Sequence, residues 1–591
     1  MVETLSQAFL NTVKTYIKPD LMAAKADGRY VPIPTDEYAR RVRHLSLGLA
    51  DLGLGPGDKL ILLSENRPEW NITDVAVLCA GGVTVPIYTS LMPEQIKYMI
   101  NDSEAKIVVC SNRNLWLKVE AIRSALPKVN HYVLIDEEGP EGVLSLSEIA
   151  ARGRTVEAAD PGLFEKRALA VKPDDVASIV YTSGTTGIPK GVMLTHANFL
   201  ANVVSLDAVT DFSVKDTILS FLPLSHVLER MTTFSFLYKG ASIYYAESIE
   251  TVGENLLEVR PTIMISVPRV FDKIYAKVMD NVLEGSALKR KLFFWAVGVG
   301  KKYGARHIRH QPIPWWLRVR RGVAAKLVFS KIIAKTGGRV HFFVSGGAPL
   351  SADVAEFFYA VGITILEGYG LTETSPVLAC NTFPKMKFGT VGPLVPGVQV
   401  KFAPDGEIWA KGPNVMKGYY NKPQETAEVF EDGWFKTGDV GHFDEEGFLV
   451  ITDRKKDILV TAGGKNVSPQ PIENMLRMNP YIQNVVVVGG GRKFISALVV
   501  PNFDKLEAYA KSRGISFGSR KELVESEEIR SFMLAEINRS TPNLASYERI
   551  KKIVLLDKDF DADTQMTPSL KVKRHIVEKV FKPLIDLLYK D

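Results

Sequence analysis

Cysteine is scarce: Cys79, Cys110 and Cys380 are the only three in 591 residues. Their odd number and wide separation argue against a disulfide framework and against a cysteine-ligated metal site. No window reaches the roughly 18 uncharged apolar residues that a spanning helix needs. The opening Met1-Val2-Glu3-Thr4 lacks the basic and apolar regions of a secretion signal, so the expected location is cytoplasmic. Charge of one sign is also missing. Seventy-three basic residues against 67 acidic leave a net +6, too little at this size to suggest a general polyanion binder. There is no internal repeat, and 46% hydrophobic with 24% charged residues excludes global disorder. The length gives a prior of about four compact units.

The first 170 residues read as alternating helix and strand. Asp36 is placed to cap a helix whose apolar positions Val42, Leu45, Leu49 and Leu52 recur at three- and four-residue spacing. Gly55-Pro56-Gly57-Asp58 is a turn, and strands are expected at Lys59 to Leu63, Lys106 to Cys110 and His131 to Ile135. Short apolar strands separated by helices imply a parallel sheet covered on both faces, with ligands near the carboxyl ends of its strands. The alternation continues from Asp175 to Leu378. Between Gly389 and Ile451, frequent Gly, Pro and Asp indicate a small β-rich subdomain. After Asp457 comes an α+β segment, with a helix over Pro471 to Leu476 and a strand over Val485 to Val488. The charged run Asp453-Arg454-Lys455-Lys456-Asp457 marks the boundary between a large domain, 1–455, and a small one, 456–591.

Tyr181-Thr182-Ser183-Gly184-Thr185-Thr186-Gly187-Ile188-Pro189-Lys190-Gly191 follows the apolar run Val176 to Val180, an expected strand. Glycines let backbone N–H groups converge on an anion, hydroxyls add donors, and lysine adds mobile charge. The composition fits a triphosphate cradle, although the spacing is not that of a P-loop. Farther on, Gly346, Gly347 and Ala348 could let a flat purine lie against their backbone, and Tyr369 offers an aromatic face. Thr372 and Glu373 supply a hydroxyl and a hard oxygen suited to phosphate and Mg²⁺.

Together with Ser345-Gly346-Gly347-Ala348-Pro349-Leu350, Glu367-Gly368-Tyr369-Gly370-Leu371-Thr372-Glu373-Thr374 and Thr437-Gly438-Asp439, the 181–191 segment resembles the motifs of the adenylate-forming superfamily. They run in that family's order across about residues 30 to 575. The stretches 432–456 and Leu222-Pro223-Leu224-Ser225-His226-Val227-Leu228-Glu229-Arg230 resemble its long-chain fatty acyl-CoA synthetase branch. The resemblance implies a large domain of stacked α/β subdomains plus a β-rich one, and a mobile α+β C-terminal domain. It implies activation of a long-chain fatty acid by ATP through an acyl-adenylate to its CoA thioester. Transfer to a carrier protein, as fatty acyl-AMP ligases perform, is the alternative.

By resemblance, the ATP-binding set is Thr182, Ser183, Gly184, Thr185, Thr186, Gly187, Lys190, Gly346, Gly347, Ala348, Glu367, Gly368, Tyr369, Gly370 and Thr372. Glu373 with Thr182 is expected to hold Mg²⁺, and Asp439 to accept the ribose hydroxyls with Arg454 in support. His226 sits beside the carboxylate pocket, and Arg230 stands where some members place a gating tryptophan. Lys571, in Met566-Thr567-Pro568-Ser569-Leu570-Lys571, is expected as the catalytic lysine alongside Glu373, Thr186 and His226. Lys456 falls at the hinge position, and Gly463, Gly464 and Lys465 would line the CoA channel. Met231 to Leu237 and Ile363 to Leu366 are expected walls for the acyl chain, or equally core.

From Lys289 to Lys331 there is no acidic residue, while cations alternate with Phe293, Phe294, Trp295, Trp315 and Trp316. That mixture suits peripheral docking on an anionic membrane, or a solvated helical insertion on the main domain. Nucleic acid is not an expected partner.

Overall fold

The computed structural model describes residues 2–136, 139–182, 188–561, 564–566 and 572–590. Two eight-stranded sheets form the large domain. In the first, Lys59–Leu63 lies between Val83–Ile87 and Ile107–Cys110, with His131–Leu134 beyond, all parallel. Leu60, Ile61, Leu62 and Leu63 are all inaccessible to solvent, as a parallel strand covered on both faces requires. Val176–Thr182 joins this sheet alongside Val83–Ile87 and turns back antiparallel into Lys190–Thr195.

The second sheet has a parallel core of Thr217–Ser220, Ser242–Tyr245, Ile263–Ser266, Phe342–Ser345 and Thr364–Gly370. Its far edge is the Met22–Ala26 and Arg29–Ile33 hairpin. The first strand of the chain therefore belongs to the later sheet, which local periodicity does not reveal. The helix expected from Asp36 spans Thr35–Asp51, but Pro34 occupies its N-cap and Asp36 lies in the first turn. Thr35 is itself the first helical residue, and its hydroxyl donates to the Tyr16 carbonyl and accepts from the Lys18 N–H, tying the helix start to the preceding loop.

The helices Pro68–Cys79 and Val227–Tyr238 bring the two sheets together. Arg230, fully buried, donates from Nε and Nη2 to both oxygens of Asp74, at 2.8 and 2.5 Å. Its Nη1 reaches Ser178 Oγ on the first sheet, and the guanidinium packs on the rings of Trp70, Phe199 and Phe234. A buried bidentate pair satisfies the charges that burial strips of water.

The β-rich subdomain is a five-stranded antiparallel sheet that includes Glu407–Lys411, Trp434–Phe443 and Leu449–Arg454. Beyond it, Ile482–Val488, Ser496–Pro501 and Lys552–Leu555 form a small sheet flanked by helices Pro469–Arg477, Phe503–Arg513 and Glu527–Ser540. The mixed α/β architecture matches the sequence expectation.

Candidate active site

A cavity of about 1720 Å³ opens where the two large sheets, the β-rich sheet and the C-terminal segment meet. Its walls are built from strand ends and the loops that leave them, the position that parallel sheets reserve for ligands.

At one end, Thr182 pairs with Lys190 across the hairpin, and both line the cavity. Ser183, Gly184, Thr185, Thr186 and Gly187, which the sequence assigns to phosphate, lie outside the described residues. The Lys190 ammonium sits 5.0 Å from the centre of the Tyr419 ring. The Tyr419 hydroxyl donates to Glu373 Oε1 at 3.0 Å. Loss of solvation holds the Glu373 carboxyl above its ordinary range, a cost that a nearby cation would reverse. Tyr419 was not foreseen. It sits in a two-residue strand, Gly418–Tyr419, paired to Val192 and Met193 on the hairpin, and no local pattern announces so short an element.

A second group gathers at the β-rich sheet. Asp439 and Arg454 are cross-strand neighbours, and Arg454 Nε lies 3.1 Å from Asp439 Oδ1. The Tyr369 hydroxyl donates to Asp439 Oδ2 at 2.8 Å. The Asp439 carboxylate beside Arg454 raises its pKa, so the guanidinium stays charged. Each carboxylate oxygen retains acceptor capacity beyond these contacts. Gly346, Gly347, Ala348, Glu367, Gly368, Gly370 and Thr372 also line the cavity. At Gly370 a side chain is impossible, since a Cβ would fall 1.7 Å from the Pro376 carbonyl oxygen. Gly347 has φ +80°, a conformation glycine adopts without strain. Glu367 is buried and pushed up to about 8 by desolvation, against opposing backbone donors from Gly389 and Leu350.

The third region is apolar. His226 caps the helix Val227–Tyr238, its Nδ1 accepting from the Leu228 N–H at 3.1 Å. That bond leaves Nε2 to carry the proton in the neutral ring. His226 lines the cavity, and so do Leu228, Met231, Thr232, Ser235 and Phe236 along one face of the helix. Of the expected walls, Leu366 also faces in, whereas Ile363 belongs to a separate core against Phe271 and Phe358. Arg230 is absent from this wall: its side chain is spent on Asp74, on the other face of the helix.

On the C-terminal side, Lys571 lies outside the described residues; the nearest described residues in the chain are Met566 and Val572. Met566 bridges Val572, and Thr564, Val572 and Lys573 line the cavity. Arg574 also lines the cavity, with its guanidinium bound to Glu473 Oε1 and the Val487 carbonyl, both at 2.5 Å. Lys456 faces the cavity from the turn after Arg454, its pKa lowered chiefly by desolvation. Gly463, Gly464 and Lys465 form an exposed hairpin turn away from the cavity walls. An ion pair of 2.8 Å between Lys505 and Asp280 ties the C-terminal segment to the large domain. The three cysteines are buried, with thiols pushed up to about 12 by desolvation, so none is poised as a nucleophile.

Comparison with known proteins finds family matches and relatives along the length of the chain. Residues 18–420 match the AMP-binding enzyme family, and residues 456–591 the AMP-binding enzyme C-terminal domain. The long-chain-fatty-acid–CoA ligase FadD15 of Mycobacterium tuberculosis is 36% identical over 95% of this chain and 93% of its own length. The peroxisomal long chain acyl-CoA synthetase 7 of Arabidopsis thaliana is 30% identical over 100% of this chain and 86% of its own. Among solved structures, the adenylation domain of a carboxylate reductase from Mycobacterium chelonae superposes with a TM-score of 0.76 at 22% identity, covering 100% of this chain and 91% of that one. At that identity the likeness speaks for the fold.

Proposed function

The chain belongs to the AMP-binding enzyme family, and we propose on that premise how its cavity divides the work. The protein activates a long-chain fatty acid with ATP, through an acyl-adenylate, to the CoA thioester, releasing AMP and pyrophosphate. The observation that carries this reading is the convergence of three environments on one cavity: cationic and hydroxyl groups, a ribose-type carboxylate, and an apolar channel.

A carboxylate oxygen attacks the α-phosphorus of ATP, and the bond to the β-phosphate oxygen breaks. Two anions must meet, so fixed donors have to spread the charge of the pentacoordinate state. Lys190 supplies one such charge, held over Tyr419. Lys571 supplies another from the C-terminal segment, whose described flanks already line the cavity. Asp439 accepts the ribose hydroxyls, kept in place by Tyr369 and Arg454, and the Gly346–Ala348 backbone flanks the base. Glu367 lines the same wall, where desolvation favours its neutral carboxyl.

Among the described residues no cluster of three His, Cys, Asp or Glu side chains could close around an ion. Glu373 and Thr182 nevertheless fit Mg²⁺, which takes few protein oxygens and fills its remaining positions with phosphate and water. Bound there, it would neutralise charge on the departing pyrophosphate. For thioester formation the CoA thiol attacks the acyl carbon and AMP leaves. Rotation of residues 456–591 about Lys456 would withdraw Lys571 and bring the Gly463–Lys465 turn to the channel.

Among the described residues no helix is long and apolar enough to cross a membrane. The helices Ala287–Ile308 and Trp315–Ala324 instead offer a peripheral docking face. Phe293, Ala296, Leu317 and Ala324 are buried against the large domain, while Leu288, Phe294, Trp315 and Val319 point to solvent among Arg and Lys side chains. This composition favours an anionic lipid surface, where long-chain acids partition.

Pyrophosphate release with palmitate and ATP, with and without CoA, tests the catalytic reading. Acid-dependent release that yields palmitoyl-CoA supports it. Release without a CoA product would shift the acceptor to a carrier protein, and no release would reject ligation.

A further inference from the structure

Along the helix Val227–Tyr238, the cavity-lining residue farthest from His226 is Phe236, and a second aromatic ring meets it there. Phe212, in the loop after the helix His196–Asp207, and Phe236, near the end of Val227–Tyr238, meet edge to face with centroids 5.3 Å apart. Both line the cavity and both are buried, at 8% and 4% exposure. Asp211 and Ser213, on either side of Phe212, are exposed, so the buried ring lies on a surface loop.

The walls leading to it are more apolar than their composition suggests. Thr210, Thr232 and Ser235 line the cavity, yet each hydroxyl donates to a backbone carbonyl one helical turn back: Leu206 at 2.6 Å, Leu228 at 3.0 Å and Met231 at 3.2 Å. With the polar atoms turned to the helix, methyl and methylene groups remain for a ligand. Distance can be read from the helix itself. From His226 to Phe236 it climbs about 15 Å. An extended chain advances about 1.2 Å per bond, so roughly a dozen carbons separate the reacting end from the rings.

We infer that the Phe212–Phe236 pair sets the acyl chain length of this enzyme, acting as the floor against which the methyl end of the substrate rests. Acids of roughly a dozen carbons reach the floor extended, and longer ones must bend beneath it. Removing either ring lengthens the channel toward the surface loop. This inference rests on the fatty-acid reading above and adds the residues that measure the chain.

The test is the specificity profile, kcat/KM for saturated acids from octanoate to arachidate, in the wild type, Phe212→Ala, Phe236→Ala and the milder Phe236→Leu. Both alanine variants should shift the optimum to longer acids, raising the stearate-to-laurate ratio about tenfold for each two methylenes newly buried. Phe236→Leu should shift it less, and octanoate should be unaffected. A variant whose melting temperature collapses is replaced by the leucine form or by Phe212→Ala, which lies outside the helix. An unchanged length profile in folded, active variants would overturn the inference. A wild type that activates no fatty acid would instead sink the functional reading itself.

Discussion

Arg230 illustrates how one residue's neighbourhood decides its role. Sequence position places it among the residues of the acyl pocket, four beyond His226. Its side chain points the other way, into a pair with Asp74 that lies 156 positions away in the chain. Removing one partner strands a charge in the core, which costs about 3–5 kcal/mol, whereas replacing both with apolar groups of like volume is far milder. Arg230→Ala and Asp74→Ala should each lower the denaturation midpoint strongly, and Arg230→Met with Asp74→Leu should recover most of the loss. Urea titration of the four proteins checks this. Equal loss in the double variant would mean that the ion pair is not the determinant. Of the neighbouring motifs, Lys190, Tyr369 and Glu373 drew notice by residue type, whereas Asp439 and Arg454 came from the family resemblance alone; all five line the cavity. Tyr419 drew no notice, since it reaches the site only through strand pairing.

Among the elements, helices and strands with strong periodicity emerged within a few residues of their positions. The expected strand at Val485 to Val488 spans Ile482–Val488, and the expected helix at Pro471 to Leu476 spans Pro469–Arg477. Partnership between distant elements was not legible. Met22–Ala26 pairs with Ser242–Tyr245 because sheet edges are closed by whichever strand the chain delivers, a non-local choice. The basic insertion shows the same limit. Its composition is plain in the sequence, but only packing distinguishes Lys301, paired with Glu356 at 2.6 Å, and Arg321, stacked on Phe329, from the outward cations. If the exposed face docks on lipid, the protein should float with vesicles containing phosphatidylglycerol and release as salt rises. Replacing Trp315, Trp316 and Arg318 together by Ser should abolish flotation while leaving activity on soluble acids intact. Binding that ignores lipid charge and salt would count against it.

At the scale of the whole molecule, we propose that two lobes share one reaction centre and that the C-terminal lobe contributes Lys571 to the first step alone. The Lys505–Asp280 pair and the cavity-lining flanks of Lys571 support an arrangement suited to adenylation, with the Gly463–Lys465 turn held outside. The half-reactions of Lys571→Ala, measured separately, test this most directly. Palmitate-dependent exchange between pyrophosphate and ATP should fall by at least about a hundredfold, the scale on which a charge-stabilising group acts. Conversion of supplied palmitoyl-AMP and CoA to palmitoyl-CoA should proceed near the wild-type rate. Equal loss in both half-reactions, or none in the first, would contradict the account.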